Sequence, residues 1–275
     1  MATACRAALD EIDDMLRTYE QKGVLKLWEM LDTQRLRQLR REINKTLGEL
    51  QGIIEIETTG AVSSAYGIAL DYGAFVIENT VGEGGYAFEG LNETLLRASL
   101  DRKIGGLTIS DRLTQERLNL LWHERDAVAK AQLMGYGAQK TARDVILADV
   151  KQGVERSYSR ALLIARTETA RNTTQATIDA SSDAERQGIK TRLKWHSSPT
   201  GHPHDPPHST YNGKLSKLNP ETGEHEFIIG GKPSRGPGMC EAVEHNFNCR
   251  CRVTTYCVGY DEFYPTAEDF AKWRA

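Results

Sequence analysis

The chain has 275 residues, with 35 Lys and Arg against 38 Asp and Glu and a formal net charge of −3. So balanced a chain excludes a general nucleic-acid coat, which needs a broad excess of positive charge to meet phosphate. The length predicts one large domain or two smaller ones with ample chain for a core. The odd cysteine count, five with four of them late, fits a reduced compartment and a metal site better than a disulfide framework.

No run approaches the apolar length that spans a membrane. The opening Met1-Ala2-Thr3-Ala4-Cys5-Arg6 lacks the basic-then-apolar pattern of a signal peptide. The expectation is a protein made in a cytoplasm, with no membrane partner.

A first amphipathic helix is expected over 4–20, broken at Gly23. A stronger one follows over 24–51. There Trp28, Leu31, Leu36, Leu39, Ile43, Leu47 and Leu50 recur mostly at three and four, the helical period. Arg35, Arg37, Arg40 and Arg41 fill its other faces, as a solvated face or as a contact for an acidic partner or DNA. From 53 to 106 the pattern loosens. The segments 65–70 and 73–77 read as short helices or strands, and Gly82, Gly84 and Gly85 mark a turn, since no Lys-Ser/Thr follows to make a phosphate loop.

Helices resume at Ile109-Ser110-Asp111, with Leu113, Leu118, Leu121 and Trp122 behind this cap region. Gly135-Tyr136-Gly137 separates the next helix, which carries Val145, Ile146 and Val150 and is expected to stop at Gly153. A last helix over 154–187 ends at Gly188. Within it Glu168 and Arg171 stand at i,i+3 and can pair. They are read either as a surface pair or as charges that hold a joint to the C-terminal domain.

The period then changes to two. Thr191, Leu193 and Trp195 alternate with polar residues, as do Cys251, Val253, Thr255 and Cys257. Residues 226–229 suggest another strand, and Asn212-Gly213 a hairpin turn. Thr266 and Asp269 resemble a capping box that starts a final helix. The fold class is therefore mainly α with a smaller C-terminal α+β domain. A helical bundle or arm over 1–187, loop-rich near 53–106, precedes a small strand- and loop-rich domain over 188–275. So small a domain with so much loop calls for a staple.

The staple candidates are explicit. Cys249 and Cys251, two apart on an extended segment, point to one face. His204 and His208 have a common metal-ligand spacing, and Pro206-Pro207 stiffens the loop between them. Together they make a Cys₂His₂ candidate for a structural Zn²⁺, with His202, Cys240 and His245 as rival ligands. There is no Gly-x-Ser-x-Gly elbow and no His-Glu-x-x-His. The chain is read as non-enzymatic. The alternative is a metal-dependent nuclease or toxin-like enzyme on a helical carrier, with Asp205, Glu241 or Glu244 as base.

An ordered set of residues carries a resemblance. Ala165-Arg166-Thr167-Glu168 is followed by Lys194-Trp195, Pro207-His208, Asn212-Gly213, Pro237-Gly238 and Asn248-Cys249-Arg250-Cys251. Over about 135–257 this resembles the Mu F-like minor head proteins, the head morphogenesis family of tailed bacteriophages. It departs from their pattern in the His/Pro-rich loop 201–206, where Asp205 stands near the position of a family aspartate. The resemblance implies a virion component present in few copies inside the head near the portal vertex. It further implies a role in procapsid assembly and in DNA packaging or ejection. The implied partners are the portal protein, the major capsid or scaffold protein, phage DNA, and other copies of the chain.

Overall fold

The computed structural model describes residues 1–21, 33–133, 142–199, 204 and 206–275. Among these, five α-helices precede a small β-rich region and a sixth helix. They are α1 (Ala2–Gln21), α2 (Thr33–Val81), α3 (Glu93–Leu100), α4 (Ile109–Leu133), α5 (Ala142–Arg186) and α6 (Ala267–Arg274). The strands are β1 (Thr191–His196), β2 (Lys217–Leu218), β3 (His225–Ile229), β4 (Lys232–Ser234) and β5 (Arg252–Cys257). The mainly helical chain with a smaller C-terminal α+β part is what the periodicities indicated.

The chain divides into two compact units, Met1–Thr59 with Ser110–Ile164, and Gly60–Ile109 with Ala165–Ala275. The 188–275 region lies wholly in the second unit, which also takes in the end of α2, α3 and the C-terminal part of α5.

In the first unit α1 buries Ile12 and Leu16, α2 buries Leu39, Ile43, Leu47, Leu50 and Ile54, and α5 buries Ile146, Val150 and Val154. These are the three- and four-residue spacings of one apolar stripe per helix. The helix expected to stop at Gly153 does not stop. A Cβ at Gly153 would lie 3.1 Å from Leu120 Cδ1 and 3.2 Å from His123 Cβ, so the glycine admits α4 rather than ending α5. The isolated cost of a helical glycine, about 1 kcal/mol, is offset by that packing. Gly23, the helix start at 24–32 and the break at Gly135-Tyr136-Gly137 lie outside the described residues.

In the second unit the loose 65–77 stretch is neither short helices nor strands but part of α2. The same helix corrects the reading of apolar length alone, because Arg37–Val81 is long and apolar enough by composition to cross a membrane, a test that a buried core helix also passes. The stretch mixes Gly, Ala, Ser and Thr with its large apolar residues, so it never reads as one apolar run. Here 44 % of its most apolar window is buried inside the protein. Tyr66, Leu70, Ala74 and Ile77 pack on Ala176, Ala180 and Ala184 of α5, with Ile189 and Cys257. Small residues set the spacing. A Cβ on Gly73 would approach Ala180 Cβ to 2.8 Å. Two tyrosines complete the seam, Tyr66 donating to Asp179 and Tyr86 to Asp183.

α5 ends where expected. Ile189 N–H bonds Ala184 O and Gly188 N–H bonds Glu185 O, each at 3.0 Å, which is the Schellman pattern. β1 then pairs antiparallel with β5, Trp195 opposite Val253. On its other edge β1 receives the 213–216 segment, through Gly213 N–H to Trp195 O at 2.8 Å and Ser216 N–H to Leu193 O at 2.8 Å. The turn that delivers this segment differs from the expected hairpin type. Asn212 has φ −55° and ψ 127° and Gly213 has φ +77°, so only Gly213 is left-handed, a type II turn. β2, β3 and β4 form a second antiparallel sheet. The Thr266–Asp269 capping box is present, and α6 packs Trp273 and Phe270 on Phe75.

Candidate metal centre

The β-rich part grips α5 through polar contacts made on one side of that helix. Thr174 donates to Pro237 O at 2.8 Å, Asn248 N–H donates to Thr167 Oγ1 at 3.2 Å, and Ser181 bonds Thr255 at 2.8 Å. The Glu168–Arg171 pair lies in this joint. It is bonded at 2.9 Å and both side chains are almost wholly buried, so it is not a surface pair. Arg171 also donates to Ser99 O at 2.6 Å. Gly238 is where the loop meets the helix backbone most closely, since a Cβ there would lie 2.7 Å from Arg171 N. Arg166, one turn earlier, is exposed and takes no part.

Against this joint the chain gathers His204, His208, His245, Cys240, Cys249 and Cys251. Trp195, 0 % exposed, anchors the cluster of Phe227, Ile229, Cys240, Cys249, Cys251 and Val253. It meets His208 edge-on, with ring centroids 5.4 Å apart. His208 opens a short 3₁₀ turn after the Pro206-Pro207 step, and Asn212 accepts from Ser197 N–H at 3.0 Å to tie that turn to the end of β1. Asn248 takes φ +53°, a left-handed conformation that asparagine tolerates better than most side chains. The bend leads Cys249 inward while Arg250 stays exposed, and Cys251 follows on the same face.

Three of the four expected ligands, His204, His208 and Cys249, offer donor atoms all within 4.8 Å of one another. The fourth adjoins them. His208 Nδ1 lies 3.5 Å from Cys249 Sγ and 3.7 Å from Cys251 Sγ. The group could hold a metal ion. The rivals are placed differently. His245 Nδ1 is 3.0 Å from His208 Nε2, on the far side of that ring from the sulfurs. Cys240 turns to Ser234 Oγ at 3.0 Å, and burial pushes its thiol up to about 11. His202 and Asp205 lie outside the described residues.

The two close thiols are electrostatically unequal. The Cys249 S–H stabilises a Cys251 thiolate, which is held below the ordinary thiol range against the opposing effect of burial, with His208 also favouring it. The same neighbour raises Cys249 above the ordinary thiol range, and burial adds to that. One proton therefore leaves the pair readily and the second does not. A cation between the sulfurs supplies the charge that the second ionisation lacks.

Part of this arrangement escaped the sequence. Thr174 looks like an ordinary helix residue, and Thr167 stood in the ordered motif set with no role that spacing could give it.

No family model matches the chain, and no solved structure matches it. A relative from Enterococcus faecalis, the NAD(+)–arginine ADP-ribosyltransferase EFV, is 26 % identical over 161 residues. The match covers 58 % of this chain and 31 % of the relative, so the chain spans less than a third of that protein's length. This similarity corrects the non-enzymatic reading, because the relative is an enzyme. The missing elbow and zinc-protease motifs bore on hydrolases, and hydrolysis is not what the relative is named for.

Proposed function

We propose that this chain is a head morphogenesis component of a tailed bacteriophage, with a C-terminal part folded around a structural zinc ion. The observation that carries the reading is the clustering of His204, His208, Cys249 and Cys251 beside the buried Glu168–Arg171 joint. Apart from the exposed Arg166, residues of the ordered motif set support this reading by lying in or beside that cluster. Bond lengths favour zinc. With zinc–sulfur and zinc–nitrogen bonds of about 2.3 and 2.05 Å, a tetrahedral site spans an N···S edge of about 3.6 Å. The two His208–cysteine separations, 3.5 and 3.7 Å, bracket that length. A bound zinc ion contributes folding free energy directly. In this reading the helices engage the portal protein, scaffold or major capsid protein, or further copies. Exposed Arg37 and Arg41 on α2 are available to DNA. Quantitative mass spectrometry of purified heads, before and after DNA release, tests it. A few copies per head support the reading, and complete absence overturns it.

The Enterococcus faecalis relative favours a second reading, transfer of ADP-ribose from NAD⁺ to an acceptor. Incubation of the full chain with adenylate-labelled NAD⁺ and arginine-bearing proteins tests it. Label transferred to an acceptor supports it, and none, with free NAD⁺ intact, sinks it.

A further inference from the structure

Resting on the metal-centre reading above, we propose that His245 is a positioning residue that commits His208 to bind the metal through Nδ1. His208 has a different neighbour at each ring nitrogen. Nδ1 faces the sulfurs of Cys249 and Cys251 at 3.5 and 3.7 Å, and Nε2 faces His245 Nδ1 at 3.0 Å. A neutral imidazole carries one N–H, and a nitrogen that gives its lone pair to a metal carries none. The proton of a ligating His208 therefore sits on Nε2, where it needs an acceptor. His245 Nδ1 is at bonding distance, and accepting puts the proton of His245 on its own Nε2.

That assignment agrees with what surrounds the rings. His208 and His245 are 6 % and 2 % exposed, so bulk water does not substitute for the bond between them. The rings are inclined by only 21°, with centroids 5.2 Å apart. His245 sits on the 3₁₀ turn Val243–His245, and the next residue clamps that turn. Asn246 accepts from Cys240 N–H at 2.7 Å and donates to Cys240 O at 2.8 Å. Gly230 leaves room at the far edge, where even a Cβ would keep 3.6 Å from His245 Nε2. His245 is not a fourth ligand of the same ion. An ion about 2 Å from His208 Nδ1 lies across the ring from the His245 nitrogen.

The probe is zinc itself, titrated into the full-length chain in competition with a chromophoric chelator. His245→Leu removes the acceptor and is expected to weaken zinc binding about 10- to 100-fold. His245→Asn places a carbonyl oxygen near the Nδ1 position and is expected to recover most of that loss. A second readout needs no variant. In ¹⁵N spectra of the zinc-loaded wild type, His208 should carry its proton on Nε2. If the wild type binds zinc but His245→Leu binds it equally well, or His208 is protonated at Nδ1, the positioning role is overturned while the metal centre stands. A wild type that binds no zinc overturns both. Should His245→Leu fail to fold, the wild-type spectrum decides.

Discussion

Gly238→Ala is the most informative single change in the joint on α5. Gly238 has φ +76°, a conformation that costs an L-residue about 1–2 kcal/mol. The added Cβ would also stand 2.7 Å from Arg171 N and 2.8 Å from Arg171 Cα, and helix backbone cannot swing aside as a side-chain tip can. Forcing the 236–238 loop off α5 strains the Thr174–Pro237 bond beside it and loosens cover over a buried ion pair. An overpacking cost of about 1–3 kcal/mol adds to the strain, and the total is expected near or above 3 kcal/mol. Gly213→Ala is the internal control. Gly213 has φ +77°, but nothing lies within 4 Å of its Cβ position, so it carries the strain alone. Urea unfolding of both variants, followed by hydrogen exchange of β1 and β5 amides, separates the two contributions. Equal losses in the two variants would refute the claim that close approach to α5, rather than backbone conformation, makes Gly238 necessary.

Arg171→Met should cost about 3–5 kcal/mol, because it removes the guanidinium that faces the buried Glu168 carboxylate at 2.9 Å. Adding Glu168→Gln should recover part of that loss in a double-mutant cycle, and simple additivity would count against the pairing. Glu124, 1 % exposed, is pushed up to about 7 by burial, against the pull of Arg40. A carboxyl raised on folding stabilises the protein fully below its unfolded value, and that stability is lost as pH rises through the folded one. Stability should therefore fall between about pH 4.5 and pH 7, and Glu124→Gln should flatten that slope in denaturant midpoints. Cys251→Ser, or a strong chelator, should loosen the 191–257 region while leaving the amides around Ile12 and Leu16 of α1 and Leu39 to Ile54 of α2 protected from hydrogen exchange. Identical exchange with and without chelator would speak against a metal staple.

Local periodicity made much of this architecture legible. β1 and β5 announced themselves by alternation, and the capping box of α6 by two residues at the right spacing. α5 was misread where Gly153 was taken as punctuation, and α2 where 65–70 and 73–77 were split. Gly153 and Gly73 are packing residues, admitting Leu120 and Ala180, and only the neighbouring helix shows that. The donor types at His204, His208, Cys249 and Cys251 were visible because metal ligands come from a short list. Which nitrogen of His208 faces the sulfurs was not, since that depends on His245, 37 residues away. The fate of Glu168 and Arg171 likewise turned on burial by the 237–248 loop, which no i,i+3 spacing reveals.

The second unit is assembled from two separate stretches of chain, and this matters during synthesis. Tyr66, Leu70, Ala74 and Ile77 emerge roughly 100 residues before the Ala176–Ala184 face they pack against, a wait of about 5–20 s at ribosomal speed. Throughout that wait a helix apolar enough for a bilayer has no intramolecular cover from α5. The nascent protein therefore spends its most aggregation-prone interval with its second unit unfinished. An early companion would act on α2 before His204, His208, Cys249 and Cys251 have been translated.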